Sequence, residues 1–156
     1  MQTKTTALLA ATILSIGAAG YAAGHAKLPP EIAARHGMMN LYSLNMGVVG
    51  GMARGNVDYD ADAAQTAADN LAALGMIDHE TMWPAGTSTD DVEGTRALPA
   101  IWTDRAGFQA EIDGFAEATQ QLQAVAGDGL DALRGGVGAV GRTCGSCHDD
   151  YRASAN

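Results

Sequence analysis

Gly141-Arg142-Thr143-Cys144-Gly145-Ser146-Cys147-His148-Asp149-Asp150-Tyr151-Arg152 lies near the end of the chain, with eight residues following His148. It holds both cysteines of the protein, three apart, with a histidine directly after the second. A Cys-x-x-Cys-His run is the signal for covalent haem attachment. Residues three apart share a helix face, so Cys144 and Cys147 can reach two vinyl groups on one porphyrin edge and form thioethers. His148 is next to Cys147 and four beyond Cys144. Its imidazole can turn under the ring and bind iron as the proximal ligand. The expected cofactor is a single covalent haem c.

Other uses of paired cysteines fit less well. A structural zinc site takes four ligands; this motif supplies three, and His25, His36 and His79 follow no ligand spacing. A thioredoxin-like redox pair opens a helix in a βαβ context. A disulfide across two intervening residues is geometrically awkward within a regular helix.

Working outward from the motif, the pattern is helical throughout. The fourth helix is expected over about Leu130 to Ala153. Gly127-Asp128-Gly129 is a turn, and the third helix runs from about Asp104 to Ala126 with Phe108, Ile112, Phe115, Ala116, Leu122 and Val125 on its buried face. The second runs from about Asp60 to Gly75, with Ala64, Ala67, Ala68, Leu71 and Leu74 on one face. The first runs from about Pro30 to Arg54. Pro30 suits a first turn, Glu31 suits the positive end of the helix dipole, and Ile32, Met39, Leu41, Leu44, Met46 and Val49 form a broad apolar stripe. No stretch alternates like a strand. The expected fold is all-α, an antiparallel up-down-up-down four-helix bundle. One long connection, from about Met76 to Thr103, interrupts it. Loops of this length in compact domains are often functional or tightly packed, and Trp83 and Trp102 are placed to pin it.

Residues 1–26 are set apart from the bundle at 27–156. Lys4 precedes an apolar run over 7–19, and small residues follow, which is the order of a cleaved secretory signal. The run of about 13 residues is short of the roughly 20 needed to span a bilayer. The destination is periplasmic, with no membrane partner. After cleavage 8 Lys and Arg remain against 18 Asp and Glu, a net charge of −10. That acidity disfavours nucleic acid and anionic membranes and permits docking of basic redox partner proteins. Apolar residues make up 47% of the chain but aromatics only 5%, so the core is built from small and aliphatic side chains. No nucleophile–base pair or carboxylate pair points to an enzyme.

Because so little chain follows His148, a second axial ligand must come from an earlier helix. The first helix offers His36, Met38, Met39, Met46 and Met52.

The chain resembles the cytochrome c′ family, the class II c-type cytochromes, over about Ile32 to Arg152. The family ends in Gly-x-x-Cys-x-x-Cys-His-x-x-Tyr-Arg, as at Gly141–Arg152. Pro99-Ala100-Ile101-Trp102-Thr103-Asp104, Trp83-Pro84-Ala85-Gly86-Thr87 and Asp58-Tyr59-Asp60 resemble three further family segments. The resemblance implies that Arg35 lies near a haem propionate and that Met39 sits over the distal iron face. It places Arg152 one turn beyond His148, where its charge modulates the imidazole. It implies a five-coordinate iron in an apolar pocket that admits nitric oxide and carbon monoxide. Low-spin members close that face with a first-helix methionine, for which Met39 or Met38 would serve, so both states stay open. It also implies a homodimer through the first two helices, where Gly47, Gly50 and Gly51 would allow close approach. Gly145 stands where the family often has Lys, and Gly135-Gly136-Val137 where it often has Ala-Ala-Phe. Each mid-helix Gly costs about 0.5–1 kcal/mol relative to Ala, so a looser fourth helix is expected.

Overall fold

The computed structural model describes residues 28–155; the expected signal segment and His25 lie outside them. Pro30 opens α1, Pro30–Ala53. Asp60 caps α2, Ala61–Gly75, by accepting the Ala63 N–H at 2.9 Å. Asp104 caps α4, Arg105–Val125, by accepting the Gly107 N–H at 3.1 Å. Gly129, at φ 123°, turns the chain into α5, Leu130–Tyr151. One-turn α3, Ala100–Thr103, precedes α4. The described residues contain no strand. None of their helices is long and apolar enough to cross a membrane.

The four long helices close a ring. α1 packs on α2 and α5, and α4 packs on the same two. The all-α four-helix bundle expected from the sequence is therefore the observed fold. Its main core joins Val49 and Met52 of α1, four residues of α2, Ala118, Leu122 and Ala126 from α4 and its end, and Leu133 and Val140 of α5. Small side chains dominate, so the backbones approach closely. At Gly136 an added Cβ would come within 2.7 Å of Leu122 Cδ1 and 3.2 Å of its Cα. That glycine is a packing requirement. Gly135 faces open space, and only such positions loosen the helix as the sequence led us to expect.

The α1 stripe needs correction. Met39, Leu41 and Leu44 are exposed, and the inward face runs through Ile32, Arg35, Met38, Asn45, Val49 and Met52. α1 is apolar nearly all round, so its periodicity alone did not choose the buried face. The 76–99 connection is not structureless. A 3₁₀ turn, Glu80–Met82, interrupts it, and its far end folds onto the end of α5. Leu98 N–H donates to Tyr151 O at 3.0 Å and Ala153 N–H to Arg96 O at 2.9 Å. Ala97 bridges antiparallel to Arg152. Arg152 is extended, so α5 stops at Tyr151, two residues before the expected end.

This tie creates a second buried cluster of Ala97, Ile101, Phe108 and Tyr151, with Trp83, Trp102, Ile112 and Cys147 against it. Trp83 meets Phe108 edge-on at 4.9 Å, and Phe108 meets Tyr151 at 5.3 Å. Trp102 Nε1 donates to Trp83 O at 3.0 Å. The two tryptophans pin the loop as expected.

Candidate functional site

α5 carries Cys144, Cys147 and His148 in its last two turns, all half-buried. The helix separates the two cysteines by one turn. Cys144 packs on the main core and Cys147 on the aromatic cluster. Neither is paired in a disulfide. Burial pushes the Cys144 thiol up. Burial also pushes Cys147 up, to about 11, with the negative charge of Glu111 adding to it. Both thiols are therefore neutral near pH 7. The His148 imidazole is held below its usual range by burial first, then by the positive charges of Arg152 and Arg96. It is thus neutral near pH 7, with a nitrogen lone pair to offer iron.

Arg152 is exposed, and its positive charge adds to the lowering of His148 after burial. Ser146 hydrogen-bonds to Glu111 of α4, fixing the motif's outer side.

α1 supplies the facing wall. Arg35 is buried, 4% exposed. Its Nη1 donates to Thr87 O at 3.3 Å, and its guanidinium lies 4.5 Å over the Trp83 ring. Nε and Nη2 have no partner, and neither does the buried Nε1 of Trp83. A buried donor left unpaired costs about 1–3 kcal/mol, more on a charged group. Three such donors clustered on Arg35 and Trp83 match an acceptor-rich anionic group brought by a ligand. Haem carries such groups as its two propionates, so the residues present fit the cofactor.

Met39, one turn beyond Arg35, is 42% exposed, whereas Met38 is 8% exposed. Met46 and Met52 pack on the main core, and His36 is exposed. Tyr42, one turn further along α1, donates its hydroxyl to Leu74 O at 3.3 Å and stacks at a tilt on Phe115 at 4.7 Å. Its polar end is already engaged. Among the described residues no group of three or more His, Cys, Asp or Glu is placed to hold a metal ion. Two surface cavities of about 300 and 420 Å³ contain neither cysteine nor His148.

The sequence did not single out Thr87, Glu111, Asp104 or Tyr151 as site neighbours. Thr87 acts through its backbone carbonyl, which carries no residue-type signal. Asp104 and Tyr151 stood within quoted segments, but nothing in either segment announced their contact across 47 positions.

Comparison with known proteins bears on this geometry. The family model described as Cytochrome C′ matches residues 30–152. A cytochrome c′ of Cereibacter sphaeroides is 43% identical over 145 residues, 93% of this chain and 95% of that protein. The solved cytochrome c′ of Rhodobacter sphaeroides superposes with a TM-score of 0.79 at 44% identity, covering 81% of this chain and 97% of the other. The nitric oxide complex of a mutant cytochrome c prime from Alcaligenes xylosoxidans superposes with a TM-score of 0.70 at 30% identity, covering 81% and 95%. A match from the first turn of α1 to the end of the cysteine helix, with this degree of identity, places the chain in the cytochrome c′ family, whose cofactor is covalently attached haem c.

Proposed function

We propose that the chain is an exported, periplasmic c-type haem protein that binds small diatomic gases, nitric oxide and carbon monoxide, at an open iron face. In this reading Cys144 and Cys147 form the thioethers and His148 binds iron. Arg35 and Trp83 hold a propionate, Met39 lies over the distal face, and Arg152 tunes His148. Bound haem supplies the iron that takes the gas or carries one electron. The observation that carries the reading is the buried Arg35 with two unpartnered nitrogens, one turn from Met39 and on the helix that packs against the motif helix.

The distal side favours uncharged ligands. Tyr42, the nearest inward hydroxyl beyond Met39, is committed to Leu74 O, and an apolar site without polar partners holds water poorly. The relative from Alcaligenes xylosoxidans is a nitric oxide complex, which supports the same ligand class here. Gas binding and electron carriage account for the site without a catalytic step.

A second reading has a specific observation behind it. Met39 keeps its thioether free of the core, so it is available to close the iron as a sixth ligand. That would make the protein a low-spin His/Met electron carrier, exchanging electrons with a basic redox partner.

The quaternary proposal is a homodimer through α1 and α2. Leu41, Leu44 and Val48 form an exposed apolar stripe on α1. The glycines contribute less than the sequence implied. Gly51 is taken up by Val57, and a Cβ at Gly50 would meet the Arg54 guanidinium, so only Gly47 faces open space.

An optical spectrum of the holoprotein, ferric and then dithionite-reduced, with and without carbon monoxide, decides between the two iron states. A broad high-spin reduced band that sharpens with carbon monoxide is the expected result. A sharp reduced spectrum unmoved by the gas would establish methionine ligation instead.

A further inference from the structure

Asp104 uses one carboxylate for two purposes. Its Oδ1 caps α4 through the Gly107 N–H at 3.1 Å. Its Oδ2 accepts the Tyr151 hydroxyl at 2.8 Å. The junction leaves no room for a side chain at position 107: a Cβ there would overlap the Asp104 carboxylate and stand 2.5 Å from the Tyr151 hydroxyl. Tyr151 is otherwise enclosed, 6% exposed, with its ring on Phe108 at 5.3 Å.

Tyr151 lies three residues after His148, in the final turn of α5. A terminal turn lacks the next turn's hydrogen bonds and frays unless held from outside. Here its outside anchors are the backbone tie to Arg96–Leu98 and the Tyr151–Asp104 bond. The first holds the Tyr151 carbonyl and the extended end beyond the helix. The second ties the helical turn itself to the N-terminus of α4, through a rigid ring with few rotamers.

We infer that Tyr151 and Asp104 are a positioning pair for His148, fixing the last turn of α5 against α4 and so setting the tilt at which the imidazole meets iron. The inference rests on the reading of His148 as the axial ligand. Neither residue touches haem in this account; both act through the helix that carries the ligand.

The test is the iron–imidazole stretching band of the ferrous holoprotein, measured by resonance Raman in wild type, Tyr151→Phe, Asp104→Ser and the double variant. Tyr151→Phe keeps the ring and its packing. Asp104→Ser keeps an N-cap for α4 while giving up the reach to Tyr151. Each single variant is expected to shift and broaden the band. The double variant should add nothing further, because both remove the same bond. An unmoved band in Tyr151→Phe, even with a lowered melting temperature, would reduce the pair to a structural clasp and overturn the inference. So would shifts that add in the double variant. Absence of the band in a wild-type holoprotein that is high-spin when reduced would overturn the His148 reading beneath it.

Discussion

Arg35 is the residue with the sharpest energetic asymmetry. Without an anion beside it, its burial holds a charged group with two unpaired nitrogens inside the protein. Replacing such a group by an apolar side chain of similar length is often neutral or stabilising. With a propionate beside it, the same group makes charge-assisted bonds. Arg35→Met is therefore expected to leave the haem-free protein as stable as wild type or more so, and to lower the stability of the holoprotein by about 1–3 kcal/mol. Paired thermal melts of both forms check this, and a loss of equal size in both would count against the propionate role. The sequence offered Arg35 only through the family resemblance. Its burial depends on Thr87 and Trp83, some fifty residues away in the chain, and no local pattern encodes that.

At the scale of the helix, α5 separates two kinds of glycine. Gly135 is exposed mid-helix and a Cβ there meets nothing. Gly135→Ala should stabilise by about 0.5–1 kcal/mol, since Ala removes unfolded-state freedom at no steric cost. Gly136→Ala should destabilise, because the backbone of Leu122 cannot retreat without parting α4 from α5. Urea melts of the two variants should move in opposite directions. The sequence showed both as the same departure from the family. Which of them is needed depends on a neighbouring helix, and that is tertiary information. Helix positions, by contrast, were legible because their signals are local. α2 and α4 start at their N-caps Asp60 and Asp104, where their starts were expected, and the turn at Gly129 falls where the Gly-Asp-Gly run placed it. The haem motif was legible for the same reason, since attachment chemistry dictates its spacing. The inward face of α1 was not, because apolar residues surround that helix.

For the whole molecule, the unpaired apolar surface on α1 is what the dimer proposal rests on. Leu44 is 67% exposed between Leu41 and Val48, and burying such a stripe against a second copy is the favourable use of it. Leu44→Glu is expected to give a monomer in sedimentation at micromolar concentration, with the haem spectrum and monomer fold intact, while wild type sediments as a dimer. A wild-type monomer under those conditions would refute the dimer. The same arrangement separates tasks: the stripe faces outward from α1, whereas Arg35 and Met38 of that helix face inward.

The ring of helices also has an order in time. α5 supplies one wall of the bundle, packs on both α4 and α1, and ends in the tie to Arg96–Leu98. It is the last of the five described helices to be synthesised. Until it arrives, Val49, Met52 and Leu122 lack their partners Leu133 and Val140, and the aromatic cluster lacks Tyr151. Without α5 the three earlier long helices leave one wall of the bundle open. The element that closes the bundle is the one that brings the cysteines, so completing the fold also completes the cofactor site.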